Sequence, residues 1–380
     1  MIYADNAATT RISDAALEKW CEVSQRYGGN PSSLHQAGVL AKRELNRARE
    51  IVAVAIGAEP DEIYFTSGGT ESDNWAIKGA AFLTTCPARI AVSTIEHHAV
   101  LRAASALEKI GVTCDLISVD SQGNVRPCDI ESLIRPDTLL FSVMLANNEI
   151  GTIQPIAELA ETTHRRGVLF HTDAVQAVGH IPINVRQLGV DLLSASAHKF
   201  NGPRGVGFLY VRRGVSLAPL LSGGAQESNL RAGTENVAGI AAMAAALADH
   251  VRNLDEEEKH LRQISSRFRD EIRREIDDAH FNGNPDSSLP GLVSLSIRCV
   301  SGESLLHLLD MKGIAVSTGA ACDSQNTQVS HVLRAIGLDD GLAKGTLRIS
   351  FGHENTEEEA VTLAREIAKA VKKLKTALKR

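Results

Sequence analysis

The sequence predicts an α/β protein, built on a mostly parallel β-sheet that helices cover on both faces, with a smaller α+β domain after it. Between residues 63 and 172, short apolar runs that suit strands alternate with helical segments of about ten residues, which is typical of strand–helix–strand units. Beyond residue 253 a strongly charged helical stretch precedes strands and helices in mixed order. We therefore predict a large domain over residues 15–253 and a small domain that combines residues 1–14 with 254–380.

In the large domain, Ser13 is a capping residue for a first helix over 15–27, and a turn cluster separates it from a long helix over 36–56. A brief strand over 63–66 runs into a glycine-rich turn, and a helix follows it to about residue 82. The alternating units after that are strands over 90–94, 113–118, 139–145 and 168–172, with helices over 99–110, 128–134 and 156–165. Ligands of such sheets bind beyond the carboxyl ends of the strands.

Two further apolar runs, 190–193 and 206–211, predict strands on either side of a loop of small residues. Residues 254–276 form a charged helical stretch that we expect to bridge the two domains. The small domain is predicted to hold a loop over 282–290, strands over 292–297, 314–317 and 346–350, and helices over 303–311 and up to about Gly337. Thr356 and Glu359 have the spacing of a capping box and predict the start of a final helix.

The bulk composition excludes several classes of protein. Over 380 residues the formal net charge is −6, so there is no basic field to attract nucleic acid. The longest apolar run, residues 237–248, is too short for a bilayer and predicts a buried helix, and the first residues have no signal-peptide pattern. The cysteines form no C-x-x-C pair and are typical of reduced thiols. We expect a cytoplasmic protein without nucleic-acid or membrane partners.

A glycine-rich loop, Thr66-Ser67-Gly68-Gly69-Thr70, lies between a predicted strand and a predicted helix. Free backbone N–H groups, glycines without Cβ and two hydroxyls at a helix N-terminus suit a phosphate group. The alternative interpretation is a simple glycine turn with a threonine cap.

Polar residues also follow two other strands. Asp173 ends a buried strand, where a carboxylate is costly unless it is paired, and a pyridinium N–H is a suitable partner; the alternative is a helix-capping aspartate. Gln176 follows three residues on, within reach of a cofactor's phenolic oxygen. His97, at another strand end, suits stacking over a flat ring and proton transfer. Because adjacent His97 and His98 cannot share one helical face and no third ligand is apparent, we expect no metal site.

Lys199 lies in the loop of small residues 194–203. It is either a surface charge beside a turn or an amine held in a pocket, and the second suits a Schiff base with a carbonyl cofactor. A phosphate loop, then Asp173, then a loop lysine 26 residues later together indicate a pyridoxal phosphate enzyme.

Six segments, nearly end to end and in the same order, resemble the cysteine desulfurases of the class V aminotransferase group. They are Ala4-Asp5-Asn6-Ala7-Ala8-Thr9-Thr10, Gly29-Asn30-Pro31-Ser32-Ser33, residues 66–74, Asn147-Asn148-Glu149-Ile150-Gly151, His171-Thr172-Asp173-Ala174-Val175-Gln176 and Leu230-Arg231-Ala232-Gly233-Thr234-Glu235-Asn236. The resemblance implies a seven-stranded sheet of fold type I, pyridoxal 5'-phosphate as cofactor, and conversion of L-cysteine to L-alanine. It also implies a homodimer and a protein that accepts the sulfur, as in iron–sulfur cluster assembly.

The resemblance also implies roles for individual residues. Lys199 would bind the cofactor covalently, Asp173 would bind its ring nitrogen, and His97 would stack on the ring and move protons. Gln176 and Asn148 would lie near the phenolic oxygen, with Asn148 close to the substrate as well. The residues implied for the phosphate are Gly69, Thr70, Ser196 and His198, with Thr234 reaching the phosphate of the neighbouring subunit, and Arg348 is implied for the substrate carboxylate.

Cys322 lies in a loop of small residues just ahead of a predicted helix, where members of the family carry their nucleophile. Its thiolate would attack the sulfur of substrate cysteine and keep that sulfur as a persulfide, and the small flanking residues would let the loop swing to an acceptor. The alternative is a buried structural cysteine. Asp323 stands where related chains usually have Ser or Thr, and we expect its charge to disfavour the thiolate.

Three functions therefore compete on the sequence alone. The first is a cysteine desulfurase. The second is a selenocysteine lyase, or an enzyme that uses both substrates, since the same site could serve, and the third is a non-catalytic cofactor-binding partner in a sulfur-transfer complex. A class V aminotransferase is disfavoured, because it would have no use for a loop cysteine.

Overall fold

The structure, a computed structural model, describes residues 1–84, 87–284, 287–318 and 329–377. Its strands, numbered in chain order, are β1 (Ile2–Tyr3), β2 (Ile63–Thr66), β3 (Ala88–Ser93), β4 (Val112–Ile117), β5 (Thr138–Ser142), β6 (Leu169–Asp173), β7 (Leu192–Ser196), β8 (Gly207–Val211), β9 (Ala279–Asn282), β10 (Leu292–Ile297), β11 (Ile314–Ala315) and β12 (Thr346–Ser350). Its α-helices are α1 (Asp14–Arg26), α2 (Gln36–Ile56), α3 (Gly69–Ala81), α4 (His98–Glu108), α5 (Pro127–Leu133), α6 (Ile156–His164), α7 (Val185–Leu188), α8 (Val237–Glu275), α9 (Gly302–Asp310), α10 (His331–Ala335), α11 (Asp340–Ala343) and α12 (Glu357–Ala377).

The large sheet has seven strands in the order β2-β8-β7-β6-β5-β3-β4. The pairs from β7 to β4 are all parallel, whereas β8 runs antiparallel to both of its neighbours. The reason is local: β7 and β8 are joined by the lysine loop alone, without the crossover helix that a parallel pair needs. The predicted α/β class with a mostly parallel, helix-covered sheet is confirmed.

Helix α8 joins two stretches that the sequence presents separately, the apolar run and the charged run. Its first half packs in the core of the large sheet through residues such as Ile240 and Leu247. Its second half packs in another core through residues such as Ile264 and Phe268. Residues 240–282 contain no glycine or proline, so no helix-breaking residue interrupts α8 where it passes from one core to the other.

The second core lies against a three-stranded antiparallel sheet of order β12-β10-β9. The N-terminal arm belongs to this region, because β1 pairs in parallel with β11 and Asp5 forms a bridge with Ser350 beside it. Strand β9 occupies residues just before the predicted loop and was not predicted. The division of the chain at residues 14 and 253 stays a prediction.

None of the helices in the described ranges has the length and apolar character that crossing a lipid bilayer requires.

Candidate active site

A cavity of about 490 Å³ opens at the carboxyl end of the large sheet, where the N-terminal arm and β12 come close to it. Ten of the residues that the sequence singled out line this cavity: Gly69, Thr70, His97, Asn148, Asp173, Gln176, Ser196, His198, Lys199 and Arg348. Thr234 is exposed and is not among the described lining residues. Cys322 and Asp323 lie outside the residues that the structure describes, and so their predicted roles stay predictions.

The glycine-rich loop becomes the N-terminus of α3. Gly68, the residue before the helix, has φ 145°, a backbone conformation that suits glycine. A Cβ on Gly69 would come within 2.5 Å of Val175 Cγ2, so the backbone approaches the loop after β6 more closely than any side chain allows. Thr66 and Ser72 brace the turn through hydroxyls 2.8 Å apart. The result is a helix end without a side-chain cap, and its open N–H groups suit an anion.

Asp173 is 4% exposed and accepts a hydrogen bond from the Val175 N–H at 2.9 Å. Burial raises the pKa of its carboxyl, and the Val175 N–H and the Lys199 charge oppose that rise. Asp73, on α3, is 1% exposed, and burial followed by the charge of Asp173 raises its pKa as well. The Oδ1 atom of Asp73 has no hydrogen-bond partner among the described residues. Two buried carboxyls thus lie side by side, with the ligand atoms of both and of His97 all within 4.8 Å of one another.

Beneath these carboxyls, His171 joins two strands through its ring. Its Nδ1 lies 2.8 Å from Ser142 Oγ, and its Nε2 lies 3.0 Å from Ser194 Oγ. Complete burial lowers the pKa of His171 to about 3, so the ring is neutral and offers no positive charge to Asp73. A cationic group brought into the cavity would therefore meet the two buried carboxyls of Asp73 and Asp173 without competition from a charged His171.

The amine of Lys199 projects toward the N-terminal arm, where its Nζ donates to Ala7 O at 2.6 Å and Ala8 O at 2.9 Å. The loop is held from behind by His180, whose Nε2 lies 2.8 Å from Lys199 O. Burial lowers the pKa of His180 to about 4, so the neutral ring donates through Nε2. The loop reverses direction at Asn201, which has φ 58°. The backbone N–H of Asn201 donates to Thr10 Oγ1 at 2.9 Å.

Two further histidines line the cavity in their neutral forms. Burial, and after it the charge of Lys199, lowers the pKa of His97 to about 4. Its Nδ1 accepts from the Ala99 N–H at 3.2 Å, so the neutral ring carries its proton on Nε2. Burial and then Lys199 also lower the pKa of His198 to about 4. Because Nδ1 is engaged by the Ala99 N–H, proton transfer by His97 takes place at Nε2. Nε2 gives up the proton that it carries before it accepts another.

Arg348 comes from β12 and is 2% exposed. Its Nη2 donates to Asp5 Oδ1 at 2.8 Å, and its Nη1 donates to Asn148 O at 3.1 Å. Its Nε is buried and finds no hydrogen-bond partner among the described residues. A guanidinium held on two sides and lining a cavity is well placed to bind a carboxylate.

Sequence reasoning missed four residues of this arrangement. Asp5, Asp73 and His171 lie inside the quoted segments, and His180 follows Asp173 by seven residues, but none of them was given a role. Only Asp73 left a signal, because a position four residues after Gly69 on a helix faces the same side as the glycine. The contacts of Asp5 and His180 join parts of the chain far apart in sequence, which no local pattern shows.

Residues 2–363 match the family described as aminotransferase class V. The chain is 46% identical to "Cysteine desulfurase IscS" of Dictyoglomus turgidum over 376 residues, 99% of this chain and 95% of that one. It is 45% identical to the protein of the same name from Methanosarcina thermophila, covering 98% and 93% of the two chains. Among solved structures, a "NifS-like protein" superposes with a TM-score of 0.92 at 39% identity over 98% and 99% of the chains. "SspA in complex with cysteine" gives 0.82 at 33% identity over 94% and 100%.

Proposed function

Because the chain belongs to the class V aminotransferase family and is a cysteine desulfurase, we propose that it binds pyridoxal 5'-phosphate and passes the sulfur of L-cysteine on as a persulfide of Cys322. The observation that carries the proposal is the meeting in one cavity of an amine, a buried carboxylate, an open helix end and a buried guanidinium. In the same order, these four groups match the carbonyl, the ring nitrogen and the phosphate of the cofactor and the carboxylate of an amino-acid substrate.

The residues fit the cofactor one feature at a time. The N-terminus of α3, with Gly69 and Thr70, suits its phosphate, and Ser196 and His198 line the same cavity. Asp173, buried beside the carboxyl of Asp73, whose Oδ1 has no hydrogen-bond partner among the described residues, suits a ring N–H that carries positive charge. When bound, pyridoxal phosphate draws electrons away from the bonds at the Cα of an amino acid.

The chain's own residues divide the remaining work. Lys199 supplies the amine that holds the cofactor, and His97 lies against the same space as a neutral ring that can hold or move a proton. Arg348 binds the carboxylate of cysteine and fixes its orientation, and Asn148 lies next to it. Gln176, with its Nε2 donating to Ala7 O at 2.9 Å, lies beside the amine of Lys199 at the arm.

Sulfur transfer falls to Cys322. Its thiolate forms a bond to the substrate sulfur while the bond from that sulfur to carbon breaks, and a proton added at the carbon completes alanine. Cys322 is then left as a persulfide, and a thiol on an acceptor protein can take its outer sulfur atom. This assignment is supported by the resemblance of the surrounding sequence.

The proposal includes a homodimer in which Thr234 reaches the phosphate of the neighbouring subunit. Its exposure on the single chain suits such a contact. It also includes a sulfur-acceptor protein, with iron–sulfur cluster assembly as the pathway, and a cytoplasmic location, since a persulfide-forming thiol requires reducing surroundings.

The test measures alanine and sulfide formed from L-cysteine in the presence of a reductant. We expect the parent to form alanine and sulfide in equal amounts. Lys199→Ala is expected to lose both products and the yellow colour of the lysine-bound cofactor. Cys322→Ala is expected to lose both products and to keep the colour. Lys42→Ala and Cys21→Ala change exposed residues of the same types and serve as matched controls.

Each competing function predicts a different result. A selenocysteine lyase would form alanine from selenocysteine and none from cysteine. A non-catalytic partner would keep the colour and form no alanine from either substrate. Sulfide release that survives Cys322→Ala would refute the nucleophile.

A further inference from the structure

Asp5 has no role in the function proposed above, yet among the described residues it accepts the shorter of the two hydrogen bonds that the side chain of the substrate-binding arginine donates. Its Oδ1 lies 2.8 Å from Nη2 of Arg348, and the two side chains are 20% and 3% exposed. Asp5 lies on the N-terminal arm and is tied to β12 by a bridge to Ser350. The ion pair is therefore built by two segments that are more than three hundred residues apart, and both are fixed by backbone pairing.

The two members of the pair face different surroundings. Arg348 lines the cavity, whereas Asp5 is not among the described lining residues. Asp5 thus holds the guanidinium from behind, and Asn148 O holds Nη1. The Nε atom is buried and has no hydrogen-bond partner among the described residues. A carboxylate that enters must share the guanidinium with the carboxylate already bound to it.

We propose that Asp5 limits the affinity of Arg348 for the carboxylates of substrate and product, and so sets how tightly cysteine is bound and how readily alanine leaves. The inference rests on the proposed function, because it takes Arg348 as the group that binds the amino-acid carboxylate. Asp5 acts through Arg348 and is a positioning residue with an electrostatic effect. Its charge neutralises the guanidinium in the absence of substrate and repels the second carboxylate when that carboxylate arrives.

The size of the effect follows from Coulomb's law. Two carboxylates bound to one guanidinium stand about 7 Å apart, and at effective dielectric constants between about 20 and 40 their repulsion weakens binding roughly tenfold to fiftyfold. Alanine carries the same carboxylate as cysteine, so removing the charge of Asp5 tightens both. The bond-making steps do not involve the carboxylate, so the main change falls on KM and on product affinity.

The experiment uses the cofactor-loaded enzyme and measures the dissociation constant of L-alanine from the change in cofactor absorbance, together with kcat and KM for L-cysteine. Asp5→Asn keeps an oxygen that accepts from Nη2 and removes the charge. We expect alanine to bind roughly tenfold more tightly and KM to fall, with kcat lowered only where alanine release becomes slow. Asp5→Glu restores the charge and is expected to return the alanine dissociation constant toward the parent value.

Ethylamine, which is alanine without its carboxylate, separates this effect from a disturbed site. Its binding is expected to be the same in the parent and in Asp5→Asn, whereas a general distortion of the cavity would change both ligands. Asp14→Asn, at a side chain 86% exposed, is the matched control. Unchanged or weaker alanine binding in Asp5→Asn would overturn the inference. If the parent itself neither binds alanine nor forms it from cysteine, the proposed function fails, which is a distinct result.

Discussion

Glu96 gives the clearest quantitative prediction, because it is a fully buried carboxyl with no cation against it in the described structure. Its Oε1 accepts from Ser93 Oγ and from Met144 N, each at 2.6 Å, and its Oε2 has no partner among the described residues. Burial raises the pKa of Glu96 from 4.5 to about 8, with the hydrogen bond from Ser93 opposing the rise and the charge of Asp173 adding to it. The change to test is Glu96→Gln, which keeps the shape and the accepting oxygen.

The direction follows from proton linkage. A pKa that is higher in the folded state means that the folded protein binds the proton more tightly than the unfolded chain does. The stability from this group is complete below about pH 4.5 and is lost as the pH rises toward about 8. At about 1.4 kcal/mol for each pH unit, levelling off as the pH reaches the folded-state pKa, the parent loses about 2 kcal/mol relative to Glu96→Gln between about pH 6 and about pH 8.

Urea unfolding of the parent and of Glu96→Gln at several pH values measures this difference. Protein concentration and cofactor excess must be held constant, since binding and dimerisation shift apparent stability. Glu62→Gln is a control that is expected to destabilise the protein: Glu62 is also buried, but its carboxylate accepts hydrogen bonds from the half-exposed Arg186 and from the Arg213 N–H, and the substitution removes their charged acceptor. Parallel pH profiles for the parent and Glu96→Gln would refute the reasoning.

Two further predictions concern the cofactor. Gly69→Ala is expected to weaken cofactor binding about tenfold or more, because its Cβ would meet Val175 Cγ2 at 2.5 Å and overpacking costs about 1–3 kcal/mol. Gly28→Ala, with open space around it, is the control, and equal cofactor affinity in both variants would contradict the prediction. Asp173→Asn keeps the side-chain shape but loses a charge-assisted hydrogen bond of about 1.5–3 kcal/mol, so equilibrium dialysis should find the cofactor bound roughly tenfold to a hundredfold more weakly, and unchanged affinity would remove Asp173 as the ring's partner.

Much of the fold follows from pattern. The alternation of apolar runs and helical segments predicted the strands that became β3 to β6 to within a few residues, because buried parallel strands are nearly continuous in hydrophobicity. The antiparallel direction of β8 was not predicted, since the sequence shows a loop but not the way the chain turns in it. β1 was missed because a strand of two residues has no period of its own and exists only through its pairing with β11.

For the site as for the fold, the sequence predicted what depends on local pattern and missed what depends on contacts between separate segments. Residues at the carboxyl ends of strands, such as Asp173 and His97, could be placed because a parallel sheet brings those ends together. Asp5 and His180 could not, because each acts through one contact with a distant segment, Arg348 in one case and the Lys199 carbonyl in the other. Nothing in the local sequence specifies those contacts.

The central claim, that sulfur leaves cysteine through Cys322, is tested most directly by finding the sulfur. The protein is incubated with L-cysteine without a reductant, separated from it and digested, and the masses of all six cysteine-containing peptides are compared with those of the untreated chain. We expect the peptide that holds Cys322 to gain one sulfur atom, the other five to gain none, and no peptide of Lys199→Ala to gain sulfur. Sulfur on another cysteine such as Cys21, or alanine formed with no peptide gaining sulfur, would contradict it.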